Sequence, residues 1–251
     1  MFWMTYFLFS ILWVGALLAY GLVIPLHLIG YAVPHKFFPH FKAKIHTFAD
    51  LCMQKGIAFL MRLQPWYHLD SDLNLPENGC LIVSNHRSHL DAFVLLSTLP
   101  GIRIFTKQSL FWIPFLGPMM WVSRQIPAKR GDVKSLRQGL ELIRERVRQG
   151  ERVLVFPEMT RCQENFLGVQ SFLLAPFQIA FQENLPIVPM VFKNTDRVWP
   201  KGQMKLRARG FRPSLSVKVK TLATVKASDF SSIAELKEEV QKRISDQLFI
   251  L

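Results

Sequence analysis

Apolar positions dominate the start of this chain: Met1 to His35 contain no Lys, Arg, Asp or Glu. A helix needs roughly 20 such residues to cross a bilayer core, so residues 1–35 are predicted to be a membrane-anchoring hydrophobic segment. Gly15, Gly21 and Pro25 interrupt it. One tilted span and two short helices dipping into one leaflet both fit that pattern, and a buried soluble hairpin is the remaining alternative. A cleaved signal peptide fits poorly, because the charged n-region and an A-x-A-like site are both missing.

From residue 36 the pattern becomes that of a soluble fold. Residues 36–64 read as a basic linker and then a helix, with Phe48, Leu51, Cys52, Ile57, Leu60 and Met61 on its apolar face. Short apolar runs at Trp66–Leu69, Leu81–Val83, Ile102–Phe105, Arg152–Phe156 and Pro186–Phe192 read as strands, the first two separated by a turn over Asn74–Gly79. Leu215, Val217 and Val219 alternate as a late strand. Helical spacing recurs between them. Ala92–Leu99 suits a short helix with Asp91 in or just before its first turn. Over Val133–Gln149, Leu136, Leu140, Ile143 and Val147 share a face and Gly150 ends the helix.

A further helix is predicted over Gln170–Gln182, and Ser232 with Glu235 forms a capping-box pattern opening a last one. Pro114, Gly117, Pro118 and Pro127 break the apolar stretch 108–128, whose Phe111, Trp112, Phe115 and Trp121 suit packing under a site or contact with lipid. Residues 197–212 read as a basic loop. Strands alternating with helices imply βαβ units. The predicted fold class is α/β, a mainly parallel sheet flanked by helices, with residues 36–251 as one domain behind the N-terminal segment.

Charge sharpens the picture. The formal net charge is +13, and the first charges after the apolar segment are Lys36, Lys42 and Lys44. The positive-inside rule then places residues 36–251 on the cytoplasmic face of the membrane, which in a bacterium is that of the inner membrane. Each Lys or Arg near anionic lipid contributes about 1 kcal/mol, and the same charge favours an anionic substrate. Nucleic acid is not expected as a partner: no helix-turn-helix, zinc-ligand spacing or aromatic RNA-binding motif is present. Cys52, Cys80 and Cys162 are odd in number and widely spaced, which speaks against a disulfide framework and against a structural metal site.

Two segments carry candidate chemistry. His86-Arg87-Ser88-His89-Leu90-Asp91 follows the predicted strand ending at Asn85. Histidine is the side chain that most readily serves as a general base near neutral pH, and a carboxylate on its other ring nitrogen fixes its tautomer and stabilises the imidazolium. On a continuous helix two residues five apart point about 140° away from each other, so His86 and Asp91 meet only if the chain turns between them. The alternatives at this point are a plain surface turn and a metal shared by His86, His89 and Asp91. A serine nucleophile elbow, Gly-x-Ser-x-Gly, is absent. The second segment, Phe156-Pro157-Glu158-Met159-Thr160-Arg161, lies where a strand hands over to a loop, a usual place for ligand contacts in α/β sheets. Arg161 offers a charged fork suited to phosphate, and an ordinary surface ion pair with Glu158 is the plain alternative.

Taken in order, these segments resemble the glycerolipid acyltransferase family that includes the 1-acylglycerol-3-phosphate (lysophosphatidic acid) acyltransferases. Asn85, His86, Ser88 and Asp91 meet the family's Asn-His-x-Ser-x-x-Asp, and Phe156, Pro157, Glu158, Thr160 and Arg161 meet its Phe-Pro-Glu-Gly-Thr-Arg. Lys107, Pro114, Gly117 and Arg130 look like a block between them, and Pro186–Pro189 like a fourth. The resemblance implies that His86 deprotonates an acceptor hydroxyl, that Asp91 orients it, and that backbone amides near the second motif stabilise the oxyanion. It further implies that Arg161, Arg130 and Lys107 hold the acceptor phosphate, with Glu158 and Thr160 in the same site. The donor would be acyl-CoA or an acyl-carrier protein, the acceptor a membrane lysolipid, and no metal or other cofactor is expected.

Two positions depart from the family pattern: Met159 replaces a glycine, and Leu173-Leu174-Ala175 replaces a basic pair followed by glycine. The second departure opens the alternative of another lysolipid acceptor. A thioesterase and a non-enzymatic membrane-binding module are the competing classes.

Overall fold

The computed structural model describes residues 21–64, 68–113, 116–129, 131–163, 166–203 and 216–251. Residues 1–20, the larger part of the predicted anchor, therefore lie outside the described residues. Residues 21–32 are helical (α1). Among the described residues no helix is long and apolar enough to cross a membrane.

The elements that follow are α2 (Pro39–Arg62), β1 (Leu69–Asp72), β2 (Cys80–Ser84), α3 (Leu90–Thr98), β3 (Ile102–Lys107), α4 (Leu116–Val122), β4 (Ile126–Ala128) and α5 (Val133–Arg148). The chain continues through β5 (Arg152–Val155), α6 (Ala175–Gln182), β6 (Ile187–Lys193), α7 (Thr195–Val198), β7 (Val217–Thr221) and α8 (Ile233–Ile250). The sheet order is β1-β7-β6-β2-β5-β3-β4. Every pairing is parallel except that between β6 and β7, so β1 and β7 run against the other five.

The sheet has a helical layer on each face. Along β2, Ile82 joins the core formed with α2, α3 and Val23 of α1. Its neighbours Leu81 and Val83 join the opposite core with α5, α6 and α8. This alternation is what a strand's two-residue period requires when both faces are covered, and all five β2 residues are buried. Asp132 caps α5 by accepting from Ser135 N at 3.0 Å, and Gly150 turns the chain out of it at φ 84°. Ser232 caps α8, while the Glu235 carboxylate takes the N–H and hydroxyl of Ser231 rather than the Ser232 N–H.

The predicted helix Gln170–Gln182 begins five residues late, at Ala175. Pro176 sits in its first turn, where its missing N–H costs nothing. Residues 170–174 are held in irregular structure instead, with Leu173 N donating to Pro157 O and Gln170 reaching back to Glu158. The basic stretch 197–212 predicted as a loop opens with the end of α7, and its residues 204–212 lie outside the described residues.

A buried polar network ties α1 and α2 to the sheet. His27 Nδ1 lies 2.9 Å from His46 Nδ1, and His27 Nε2 lies 3.5 Å from Asp50. Asp50 in turn accepts two hydrogen bonds from the Arg103 guanidinium, at 3.1 and 2.9 Å. A Cβ at Gly30 would come within 2.8 Å of the His46 ring, so the close approach of α1 to α2 requires glycine there. The outer faces of these helices and the turn between them leave Leu28, Ile29, Phe37, Phe38, Phe41 and Phe48 exposed.

Candidate active site

The turn between His86 and Asp91 forms because β2 ends on side chains that bind its neighbour. Ser84 Oγ donates to Met190 O at 2.8 Å. The Asn85 amide then replaces a backbone pair: its Nδ2 donates to Phe192 O and its Oδ1 accepts from Phe192 N, both at 2.9 Å. The sheet ladder is thus closed off by a side chain, and residues 85–88 are free to turn before α3 starts at Leu90. Ser88 Oγ accepts from Leu90 N at 3.1 Å and donates to Trp199 O at 2.6 Å.

Asp91 is fully buried, and its Oδ2 receives Arg87 N (2.8 Å), Ser88 N (2.9 Å) and His86 Nδ1 (2.9 Å). Oδ2 already accepts from two backbone N–H groups, and the same acceptor role toward His86 assigns the imidazole proton to Nδ1 and the lone pair to Nε2. The imidazole ring is stacked on Phe156 at 4.0 Å and 19°. The two backbone N–H bonds hold Asp91, Asp91 holds the tautomer, and Phe156 holds the ring plane. His86 lines a cavity of about 450 Å³.

The second motif reaches the same cavity from the end of β5. Met159 N donates to Phe156 O at 3.0 Å, closing a tight turn, and Met159 has φ 54°. The position where a glycine was expected is therefore a left-handed one, a conformation that costs a non-glycine residue about 1 kcal/mol or more. The turn presents Thr160 and Arg161 to the cavity, whose walls also carry Lys107, His89 and Lys201. No carboxylate lines the cavity among the described residues. Partial burial, with the nearby Arg161 and His86, holds the His89 imidazole down at about 4.

Glu158 is placed differently from Thr160 and Arg161. It is buried behind the wall: Oε1 accepts from His86 N at 2.9 Å and Oε2 from Gln170 Nε2 at 2.6 Å. Burial pushes its carboxyl up despite these bonds. No ion pair joins it to Arg161. Of the residues predicted for the site, His86, Asp91, Lys107, Thr160 and Arg161 are thus brought together at or directly under one cavity. Glu158 braces His86 from behind, and Arg130 lies outside the described residues. Among the described residues no three His, Cys, Asp or Glu side chains group as metal ligands.

Three features carry no signature that sequence spacing would reveal. Arg87, inside the first motif, makes a buried two-pronged pair with Asp196 of α7 at 2.8 and 2.9 Å and also donates to Phe166 O. Gln170 carries the Glu158 brace. Lys201 donates to Thr160 Oγ1 at 3.1 Å and to Arg161 O at 2.8 Å. Each joins residues 12 to 109 positions apart, so only the fold displays them. Leu173 and Leu174, the other departure from the family pattern, are exposed and do not line the cavity.

A sequence profile of the Acyltransferase family matches residues 68–193, which takes in both motifs. The chain is 32% identical over 169 residues to 1-acyl-sn-glycerol-3-phosphate acyltransferase BAT2, chloroplastic, of Brassica napus, covering 66% of this chain and 47% of that protein. It is 37% identical over 128 residues to the 1-acyl-sn-glycerol-3-phosphate acyltransferase of Saccharomyces cerevisiae, covering 49% of this chain and 41% of that one. The chain spans about half the length of the curated relatives it matches. In fold it is similar to the crystal structure of the 1-acyl-sn-glycerophosphate (LPA) acyltransferase PlsC from Thermotoga maritima, with a TM-score of 0.79, 20% identity, and coverage of 98% of this chain and 93% of that one.

Proposed function

The chain belongs to the acyltransferase family, and from that premise we propose that it moves a fatty acyl group from an acyl thioester to the free hydroxyl of lysophosphatidic acid, giving phosphatidic acid. The observation that carries this reading is the buried Asp91 holding His86 by Nδ1 at 2.9 Å, beneath a cavity walled by cations and free of carboxylates among the described residues.

The acceptor hydroxyl gives its proton to His86 Nε2 as its oxygen attacks the thioester carbonyl carbon. The C–O bond forms and the carbonyl becomes an oxyanion; Asp91 stabilises the imidazolium produced on His86. The oxyanion collapses, the C–S bond breaks, and the thiol sulfur leaves with the proton from His86. Lys107 and Arg161 hold the acceptor phosphate by charge-assisted hydrogen bonds, with Arg130 assigned the same task and Thr160 beside them. Glu158 acts through the His86 backbone. The scheme involves no acyl-enzyme and no resident cofactor, and acyl-CoA or an acyl-carrier protein is the donor.

Lysolipid and acyl chain are both lipids, and the exposed Phe37, Phe38 and Phe41 beside Lys36, Lys42 and Lys44 suit a face lying on the cytoplasmic surface of a membrane. The test is acyl transfer by purified protein from labelled acyl-CoA, and separately from acyl-carrier protein, to a panel of lysolipids. Phosphatidic acid as the main product is expected. Preferred transfer to another lysolipid overturns the acceptor assignment, and acyl-CoA hydrolysis without any lipid product makes the protein a thioesterase.

A further inference from the structure

Lys201 stands in no motif, yet its ammonium lies in the cavity wall. An ammonium has three N–H donors. Two are used, on Thr160 Oγ1 at 3.1 Å and on the Arg161 carbonyl at 2.8 Å, and among the described residues nothing takes the third. Neither Lys201, Arg161 nor Lys107 has an ion-pair partner among the described residues. Among the described residues the cavity wall therefore gathers three basic side chains, Lys107, Arg161 and Lys201, and no carboxylate. Lys201 is half-buried and held by two fixed acceptors, so little side-chain freedom remains to be lost when an anion binds.

We propose that Lys201 is a further cation of the acceptor phosphate site, beyond those assigned above, and sets the preference for a phosphate monoester over phosphodiester lysolipids. The proposal rests on the functional reading above and deepens it. A monoester carries a charge of about −1.5 to −2 near pH 7, while a phosphodiester carries a single negative charge. Coulomb energy scales with the product of charges, so one cation favours the dianion about twice as strongly as the monoanion. Leu173 and Leu174, where the family pattern has a basic pair, are off the cavity wall, whereas Lys201 brings its charge to that wall from the segment after α7.

The test compares wild type with Lys201→Met and Lys201→Arg, each checked for folding by circular dichroism. Acyl transfer is measured to lysophosphatidic acid and to lysophosphatidylglycerol. Loss of a hydrogen bond to a charged group corresponds to about tenfold or more, so KM for lysophosphatidic acid is expected to rise about tenfold in Lys201→Met. Half that free energy is about threefold for the diester, so the monoester preference falls about threefold, while Lys201→Arg retains it and KM for acyl-CoA is unchanged. If Lys201 only fastens the turn at Thr160 and Arg161, both acceptors lose equally and the preference stays, which overturns the proposal; so does a rise in the donor KM alone. Equilibrium binding of both lysolipids in detergent micelles to His86→Ala and to His86→Ala/Lys201→Met separates this from failure of the functional reading. A wild-type protein inactive on lysophosphatidic acid defeats that reading, and the binding ratio still decides the role of Lys201.

Discussion

Replacing Glu158 by alanine distinguishes a brace from a substrate ligand. Its two carboxylate oxygens are both committed inward, to His86 N and to Gln170 Nε2, and it lines none of the cavity. Alanine leaves the His86 N–H without its acceptor, a cost of about 1–3 kcal/mol. Part of that is offset because a buried carboxylate, whose pKa burial pushes up, no longer has to be desolvated. A net loss of about 2 kcal/mol is expected, or a Tm lower by roughly 4–8 °C in a chain of this size. The catalytic consequence is larger. The His86 backbone loses its tether, and misplacing a reacting group by about 1 Å costs on the order of 10²-fold in rate. Glu158→Gln keeps an acceptor for His86 N if Gln170 rotates to offer its carbonyl oxygen, so it retains most of the rate. The assay is acyl transfer over a range of lysophosphatidic acid concentrations, with thermal melts of the same preparations. The reasoning requires kcat to fall about 100-fold in Glu158→Ala with the acceptor KM little changed. An intact kcat with a raised acceptor KM would refute it and put Glu158 in contact with the lipid.

Three further outcomes follow from the same geometry. Met159→Gly relieves a left-handed backbone but gives up a partly buried side chain, so its stability is expected within about 1 kcal/mol of wild type, whereas β-branched Met159→Val melts several degrees lower; equal melting of the two variants counts against strain at this turn. His46 is held down to about 4 by burial, with the charges of His27, Arg124 and Lys42 adding to it. Because its folded pKa lies below the ordinary value near 6.5, its neutral form stabilises the protein above about pH 6.5 and that contribution is lost as pH falls toward 4; urea unfolding across this window should show a flatter slope for His46→Asn, and an unchanged slope would show that His46 is not the group responsible. Arg103→Met leaves Asp50 buried beside its histidines without its guanidinium partner, a loss of about 3 kcal/mol or more; the Asp50→Asn/Arg103→Met pair should lose less than the two single changes summed, and strict additivity would mean that the pair is not coupled.

Much of the fold is legible because its central strands are buried on both faces. Leu81–Val83 and Pro186–Phe192 stand out as apolar runs for that reason, and α5 shows because only one of its faces is covered, leaving Leu136, Leu140, Ile143 and Val147 in register. The start of α6 is not legible: Gln170–Leu174 has helical composition but is drawn out by bonds to Glu158 and Pro157 that no local propensity anticipates. The direction of β7 against β6 is likewise set by where the chain re-enters the sheet. In the site, the His86–Asp91 turn is readable from spacing because a strand end and a helix start are both signalled. The left-handed Met159 is readable only through the glycine it replaces. Glu158 behind the wall, the Arg87–Asp196 pair and Lys201 depend on contacts between distant segments, and a linear reading assigns Glu158 to the ligand because nothing local shows which way it faces.

The most direct test of the account is the kcat of His86→Ala for acyl transfer to lysophosphatidic acid, measured on protein whose Tm matches wild type. The imidazole does not carry the fold, being partly exposed over the cavity, and of the two histidines lining that cavity it is the one held by a buried carboxylate. Loss of at least 10²-fold in kcat, with lysophosphatidic acid still bound, is the result expected of a general base. Retention of the wild-type rate would contradict the central claim and move the chemistry away from His86 and Asp91.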